Sequence, residues 1–130
     1  MSHHALAFGL VFVGGGIGSM LRHAINQGSA ALFGLDFPFG TMFVNVVGSM
    51  AIGLLAGWFA LRGDGGHLLR LFLATGILGG FTTFSAFSLD AALLWERGDT
   101  AAAAFYVIGS VGVAIVGIFA GLAVTRTLLT

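Results

Sequence analysis

Residues 75–88 read TGILGGFTTFSAFS, an uncharged stretch in which two adjacent glycines precede three phenylalanines and a cluster of hydroxyls. Gly79 and Gly80 are weak helix formers, so a helix crossing here is expected to break or unwind at that pair. Beyond them Phe81, Phe84 and Phe87 recur at every third position and fall on one slowly rotating helical stripe. Thr82, Ser85 and Ser88 form a second stripe beside it, with Thr83 between turns. Aromatic edges and hydroxyls thus lie side by side, next to backbone that a break would expose. The same spacing also suits an aromatic stripe in the core or facing lipid, with its hydroxyls bonded back to the preceding turn.

Composition decides what surrounds this stretch. Of 130 residues, 58% are hydrophobic and only 8% are charged, against about 25% charged in an ordinary soluble domain. Mean hydropathy is +1.05. The chain is therefore read as an integral membrane protein. It has no cysteine, which excludes disulfides and thiolate metal sites. Its 5 basic residues, all arginine, balance 5 acids, so it has no field suited to nucleic acid. The 22 glycines suit close helix packing in lipid. The apolar start has neither a basic leader nor a small-residue cleavage site and reads as a retained span. His3 and His4 read as a polar terminus, too few for a metal site.

Four uncharged runs stand out, at 5–21, 41–61, 71–89 and 101–125. Each can cross a hydrocarbon core about 30 Å thick, the first with help from its flanks. The expected architecture is all-α: one domain of four transmembrane helices, at about 5–27, 41–62, 68–96 and 100–126. The third, drawn as one continuous helix, would be roughly 43 Å long, more than the hydrocarbon needs. A break at Gly79–Gly80 or a strong tilt would absorb the excess.

Span 1 pairs Gly14 with Gly18 and Gly15 with Ser19 at the four-residue spacing that lets backbones approach; it holds no acid and ends at Arg22, expected to snorkel to headgroups, with a role in a charged vestibule as the alternative. Residues 26–40 form the longest connector, in which Asp36 and Pro38 read as a helix-start signal. Thr41, Asn45 and Ser49 draw a polar line down span 2. An amide in hydrocarbon must find partners, so Asn45 is either interhelical glue or a ligand contact. Ser49, Gly53 and Gly57 form a small-residue seam below it, and Trp58 suits the interface. Asp90, six positions before Glu96, reads as interfacial rather than as a proton relay. In span 4 Tyr106 and Ser110 share a face; singly they read as an interface anchor and a hydroxyl bonded to its own backbone. Gly117 and Gly121 follow at packing spacing. With both termini inside, Arg62, Arg70 and Arg126 face Arg22 and Arg97, a split too even to choose an orientation.

Two segments, PFGTMFVNVVG at 38–48 and TGILGGFTTFSAFS at 75–88, closely resemble signature motifs of the Fluc/CrcB fluoride channels. Length, span number and the glycine-rich first span ending in arginine agree, so the resemblance covers nearly the whole chain. It implies an antiparallel, dual-topology homodimer in a bacterial-type inner membrane, with two narrow fluoride pathways and a central structural sodium ion. By that resemblance the ring edges of Phe84 and Phe87 face the ions, beside Asn45 and the hydroxyls of Thr41, Thr83, Ser85 and Ser110, with Tyr106 nearby. The backbone carbonyls of Gly79 and Thr82 would hold the sodium ion. One family hydroxyl, four residues after Ser110, is here Ala114, which shortens the polar track.

These residue types suit the task. Fluoride is small and tightly hydrated, so a pore must replace its water with converging donors. Ring edges carry the positive end of the aromatic quadrupole and attract an anion without trapping it on a full charge. Among rivals, a small dual-topology multidrug exporter needs a carboxylate in span 1, and 5–21 contains none. An assembly subunit held by its glycine seams would show no ion flux. An enzyme is disfavoured because the uncharged runs contain no acid, histidine or cysteine for acid–base or nucleophilic work.

Overall fold

The computed structural model describes residues 2–63 and 66–130. Among the described residues the regular structure is all helical, and four segments are long and apolar enough to cross a membrane: His3–Phe33, Phe39–Arg62, His67–Glu96 and Thr100–Leu129. The first two are α1 and α2. The third segment consists of α3, residues 67–81, and α4, Phe84–Glu96. The fourth is α5, Thr100–Leu129. The turn expected at 62–66 includes residues 64 and 65, which lie outside the described residues.

The first helix runs farther than the expected end near residue 27. Nothing in residues 28–33 breaks it until Gly34 takes a left-handed φ of 78°, and its N–H closes the helix on the Ala30 carbonyl. The connector is correspondingly short. Asp36 offers its main-chain carbonyl to Arg97, which ties this connector to the turn between α4 and α5. Pro38 then immediately precedes α2, and its carbonyl accepts the Met42 N–H at 3.2 Å.

Two pairs of helices pack with backbone nearly touching. A side chain added at Gly14 would meet the Phe72 carbonyl oxygen at 2.7 Å, and one at Gly18 would strike the Ile77 carbonyl, so α1 and α3 share one seam. Likewise Gly53 abuts Ile118, and Gly121 abuts Met50 and Leu54, closing α2 on α5. Thr125 seals the latter seam by donating to the Leu54 carbonyl at 3.1 Å and to the Gly121 carbonyl at 3.0 Å. The small-residue seams of spans 1, 2 and 4 are therefore used within the chain. They do not by themselves call for a partner.

The buried apolar cluster is small: Phe87, Leu94, Ala103 and Tyr106, with Phe37 and Met42 against it. Most large apolar side chains point outward, Phe8 and Phe12 among them, as expected where the solvent is hydrocarbon. At one end the Arg62 guanidinium lies 5.3 Å from the Trp58 ring centre, an arrangement suited to the membrane interface.

Candidate functional site

Gly79 and Gly80 do not break the third segment. They lie in the closing turn of α3, Gly79–Phe81, after a stretch of π-helix at Leu71–Leu78. The helical path is interrupted two residues later, where Thr82 (φ −89°, ψ 156°) and Thr83 (φ −153°, ψ 118°) are extended. The glycines serve packing: a Cβ on Gly80 would run into the Gly15 carbonyl of α1. The interruption is fixed instead by side chains that take over the main-chain groups it releases.

In an unbroken helix each carbonyl accepts the amide four residues on. Here the Thr83 N–H, which would serve Gly79, goes to Asn45 Oδ1 at 2.7 Å. Asn45 Nδ2 returns a hydrogen bond to the Thr83 carbonyl at 3.0 Å, so one amide satisfies both main-chain groups of Thr83. The Ala86 N–H, which would serve Thr82, goes to Thr83 Oγ1 at 3.2 Å and caps α4. The carbonyls of Gly79 and Thr82 have thus lost their helical donors. Gly80 has found another: Arg22 Nε donates to its carbonyl at 3.0 Å. Arg22 is half-buried at this contact, and the expected snorkelling to headgroups is set aside.

Beside the interruption a groove of about 390 Å³ runs between α2, the two halves of the third segment (α3 and α4) and α5. It brings together Asn45, Gly79, Thr82, Thr83, Phe84, Phe87 and Ser110, with Ser49 and Ala114 on its walls. No charged side chain lines it. Phe87 is 8% exposed and belongs to the core, whereas Phe84 is 77% exposed and stands at the groove's open side. Their ring centres are 5.7 Å apart and the rings are inclined by 53°. Ser110 Oγ is buried and has no hydrogen-bond partner among the described residues, a condition that invites a ligand or water. Ala114, also on the wall, offers no donor there.

Three residues expected on the pathway lie off the groove. Tyr106 is fully buried; its ring packs 5.2 Å from Phe87 and its hydroxyl donates to Asp90 Oδ2 at 3.0 Å. It is neither an interface anchor nor a groove wall, and Asp90 is its acceptor. Thr41 is buried one helical turn before Asn45, in the direction of the Tyr106 cluster. Ser85 is exposed, 3.4 Å from Thr83 Oγ1. Thr82 and Ser88 bond back to the Leu78 and Phe84 carbonyls, as the plainer reading of the hydroxyl stripe anticipates. Sequence reading missed Arg22 at this site. Its signal was the spacing from Gly18 to Arg22, one turn along the face that α1 presses on α3.

Comparison with known proteins places the chain. The family described as CrcB-like protein, Camphor Resistance (CrcB) matches residues 9–122. The fluoride-specific ion channel FluC of Rhodopseudomonas palustris (strain BisB5) is 60% identical over 119 residues, covering 92% of this chain and 96% of the relative. The protein of the same name from Methylobacterium nodulans is 61% identical over 117 residues, 90% of this chain and 94% of its own length. With its two signature segments forming one groove and interruption, and with homology along nearly its whole length, the chain belongs to the CrcB family.

Proposed function

We propose that this chain is a fluoride-selective channel, a multi-pass protein of the inner membrane that lets fluoride leave the cell down its gradient. It is not an enzyme. The observation that carries the reading is the uncharged groove in which Asn45 pins the interrupted helix beside Phe84, Phe87 and Ser110. A dehydrated anion needs donors from several directions, each weak enough to let it go. Asn45 keeps one amide N–H beyond the bond to Thr83, the Ser110 hydroxyl lacks a protein partner, and the N-terminus of α4 turns its positive end toward the same space. The phenylalanine edges add attraction without a fixed charge. A cation-coupled exporter is unsupported here, since no carboxylate faces the groove.

The working unit in this reading is an antiparallel homodimer with dual topology. Two observations support a partner. Phe84 is left 77% exposed beside the polar groups of the groove, and the near-even split of arginines permits insertion both ways. A second copy related by a two-fold axis in the membrane plane would close the groove and set the two interruptions back to back.

The residues also fit a structural sodium ion, held by carbonyl oxygens rather than by carboxylates or histidines. No cluster of three or more His, Cys, Asp or Glu residues suited to a metal occurs among the described residues. Gly79 and Thr82 instead offer carbonyls whose helical donors have gone to Asn45 and Thr83, hard ligands of the kind that sodium accepts. When bound, the ion would supply positive charge between the negative ends of two helices.

Efflux from liposomes carrying the purified protein, followed with a fluoride electrode, tests the channel. Fluoride release with negligible chloride release is expected, and absence of release overturns the reading. Adding lysines to one set of loops and then to the other tests the dimer. Each biased variant alone should be silent and the co-expressed pair active; full activity from a one-way variant excludes the antiparallel arrangement.

A further inference from the structure

The geometry points to Arg22 as a positioning residue for the pathway: it caps the interrupted third helix at Gly80, and it acts through the hydrogen bond of its Nε rather than through its charge. The inference rests on the channel reading above. In an unbroken helix the Gly80 carbonyl would accept the Phe84 N–H. With Thr82 and Thr83 extended, that amide is carried off with α4, and Arg22 Nε stands in for it at 3.0 Å. The substitution is built in from both sides. Gly18, one turn before Arg22, lets α1 press on Ile77, while Gly80 itself lies against the Gly15 carbonyl. Arg22 is thereby delivered to the last turn of α3.

Four carbonyls at the interruption lose their helical donors, those of Gly79, Gly80, Phe81 and Thr82, and Arg22 takes up only Gly80. It therefore determines which main-chain oxygens remain available at the interruption. It also removes the incentive for the chain to recover the Gly80–Phe84 bond by closing into continuous helix, which would swing Phe84 out of the groove. A buried carbonyl left without a donor is costly, and regaining the local amide is its nearest remedy.

The atom that makes the bond allows a clean test. Glutamine carries Nε2 at the position of arginine Nε but has no charge, whereas lysine keeps the charge and has a methylene there. Arg22→Gln should therefore retain most fluoride flux in liposomes, and Arg22→Lys and Arg22→Ala should each lose at least about tenfold. The second readout is spectroscopic. Gly80–Phe81 is the only Gly-Phe pair in the sequence, so carbonyl-¹³C glycine with ¹⁵N phenylalanine marks a single peptide in solid-state NMR. Its carbonyl resonance should stay in place in Arg22→Gln and move upfield in Arg22→Lys and Arg22→Ala.

Flux retained by lysine and lost with glutamine would overturn the proposal in favour of charge, and so would a carbonyl resonance unmoved in all three variants. If Arg22→Ala fails to fold, the glutamine and lysine pair decides alone. A wild-type protein that releases no fluoride would refute the channel reading, while the resonance would still report on the cap.

Discussion

The bundle is built from two tight helix pairs, and they use glycine alike but backbone differently. Along α2 and α5 the helices run uninterrupted; where Gly53 and Gly121 remove side chains the backbones approach, and Thr125 ties the seam shut. Along α1 and α3 the glycine seam is equally close, yet the third segment comes apart immediately beyond it. There Asn45, Thr83 and Arg22 take over main-chain groups that the helix has released. The first pair holds position and the second exposes polar backbone inside the membrane. Such exposure is tolerated only where protein groups or a water-lined cavity satisfy it.

The sharpest way to break this contrast is Asn45→Asp. The carboxylate can still accept the Thr83 N–H but cannot donate to the Thr83 carbonyl, and it places negative charge in an uncharged groove. Fluoride efflux should fall by at least about a hundredfold, each ~1.4 kcal/mol being a factor of ten. If Asn45 served assembly alone, size-exclusion chromatography would show the variant breaking up instead.

Phe84→Ile and Phe87→Ile should both abolish or greatly reduce flux while separating in stability. Phe84 is exposed within its own chain, so its variant should leave that chain's own packing unchanged. Phe87 packs on Tyr106, so its variant should lose roughly 1–2 kcal/mol by thermal unfolding in detergent. Normal flux in both variants would remove the aromatic edges from the pathway.

At the glycines of the uninterrupted pair, away from Asn45 and Ser110, effects should be confined to stability. Gly121→Ala drives a methyl toward Met50 and the Leu54 N–H and should cost about 1–3 kcal/mol, whereas Gly112→Ala meets nothing within 4 Å and should be neutral or gain up to ~1 kcal/mol. A smaller loss than that of Gly121→Ala is expected for Thr125→Val, about 0.6 kcal/mol from the lost bond to Leu54. A large loss of flux in Gly112→Ala, with stability intact, would dissolve the division of labour between the two pairs.

Much of this was legible in the sequence because membranes make composition informative. Four apolar runs sufficed for four spanning helices, and Asn45 and Ser49 of the polar line on span 2 marked the face of α2 that meets the interruption, although Thr41 lies off it. The position of the interruption was not legible. Propensity points to Gly79–Gly80, but the glycines are committed to contact with α1, and the chain opens where a distant amide can satisfy Thr83. That partner lies 38 residues away, and no local pattern encodes it. Tyr106 was misplaced for a related reason. In isolation a membrane tyrosine suits the interface, and only the fold brings Asp90 within reach of its hydroxyl.

The released carbonyls of Gly79 and Thr82 belong to the main chain, and this changes how the protein can vary. A site made of side chains is altered by changing a codon at the site, but every amino acid supplies the same carbonyl. Systematic substitution along 79–82 would report packing and leave the oxygens themselves unchanged. The heritable handles on them lie elsewhere, at Asn45 on α2, Thr83 at the cap of α4 and Arg22 on α1, whose side chains take part of the released backbone for themselves.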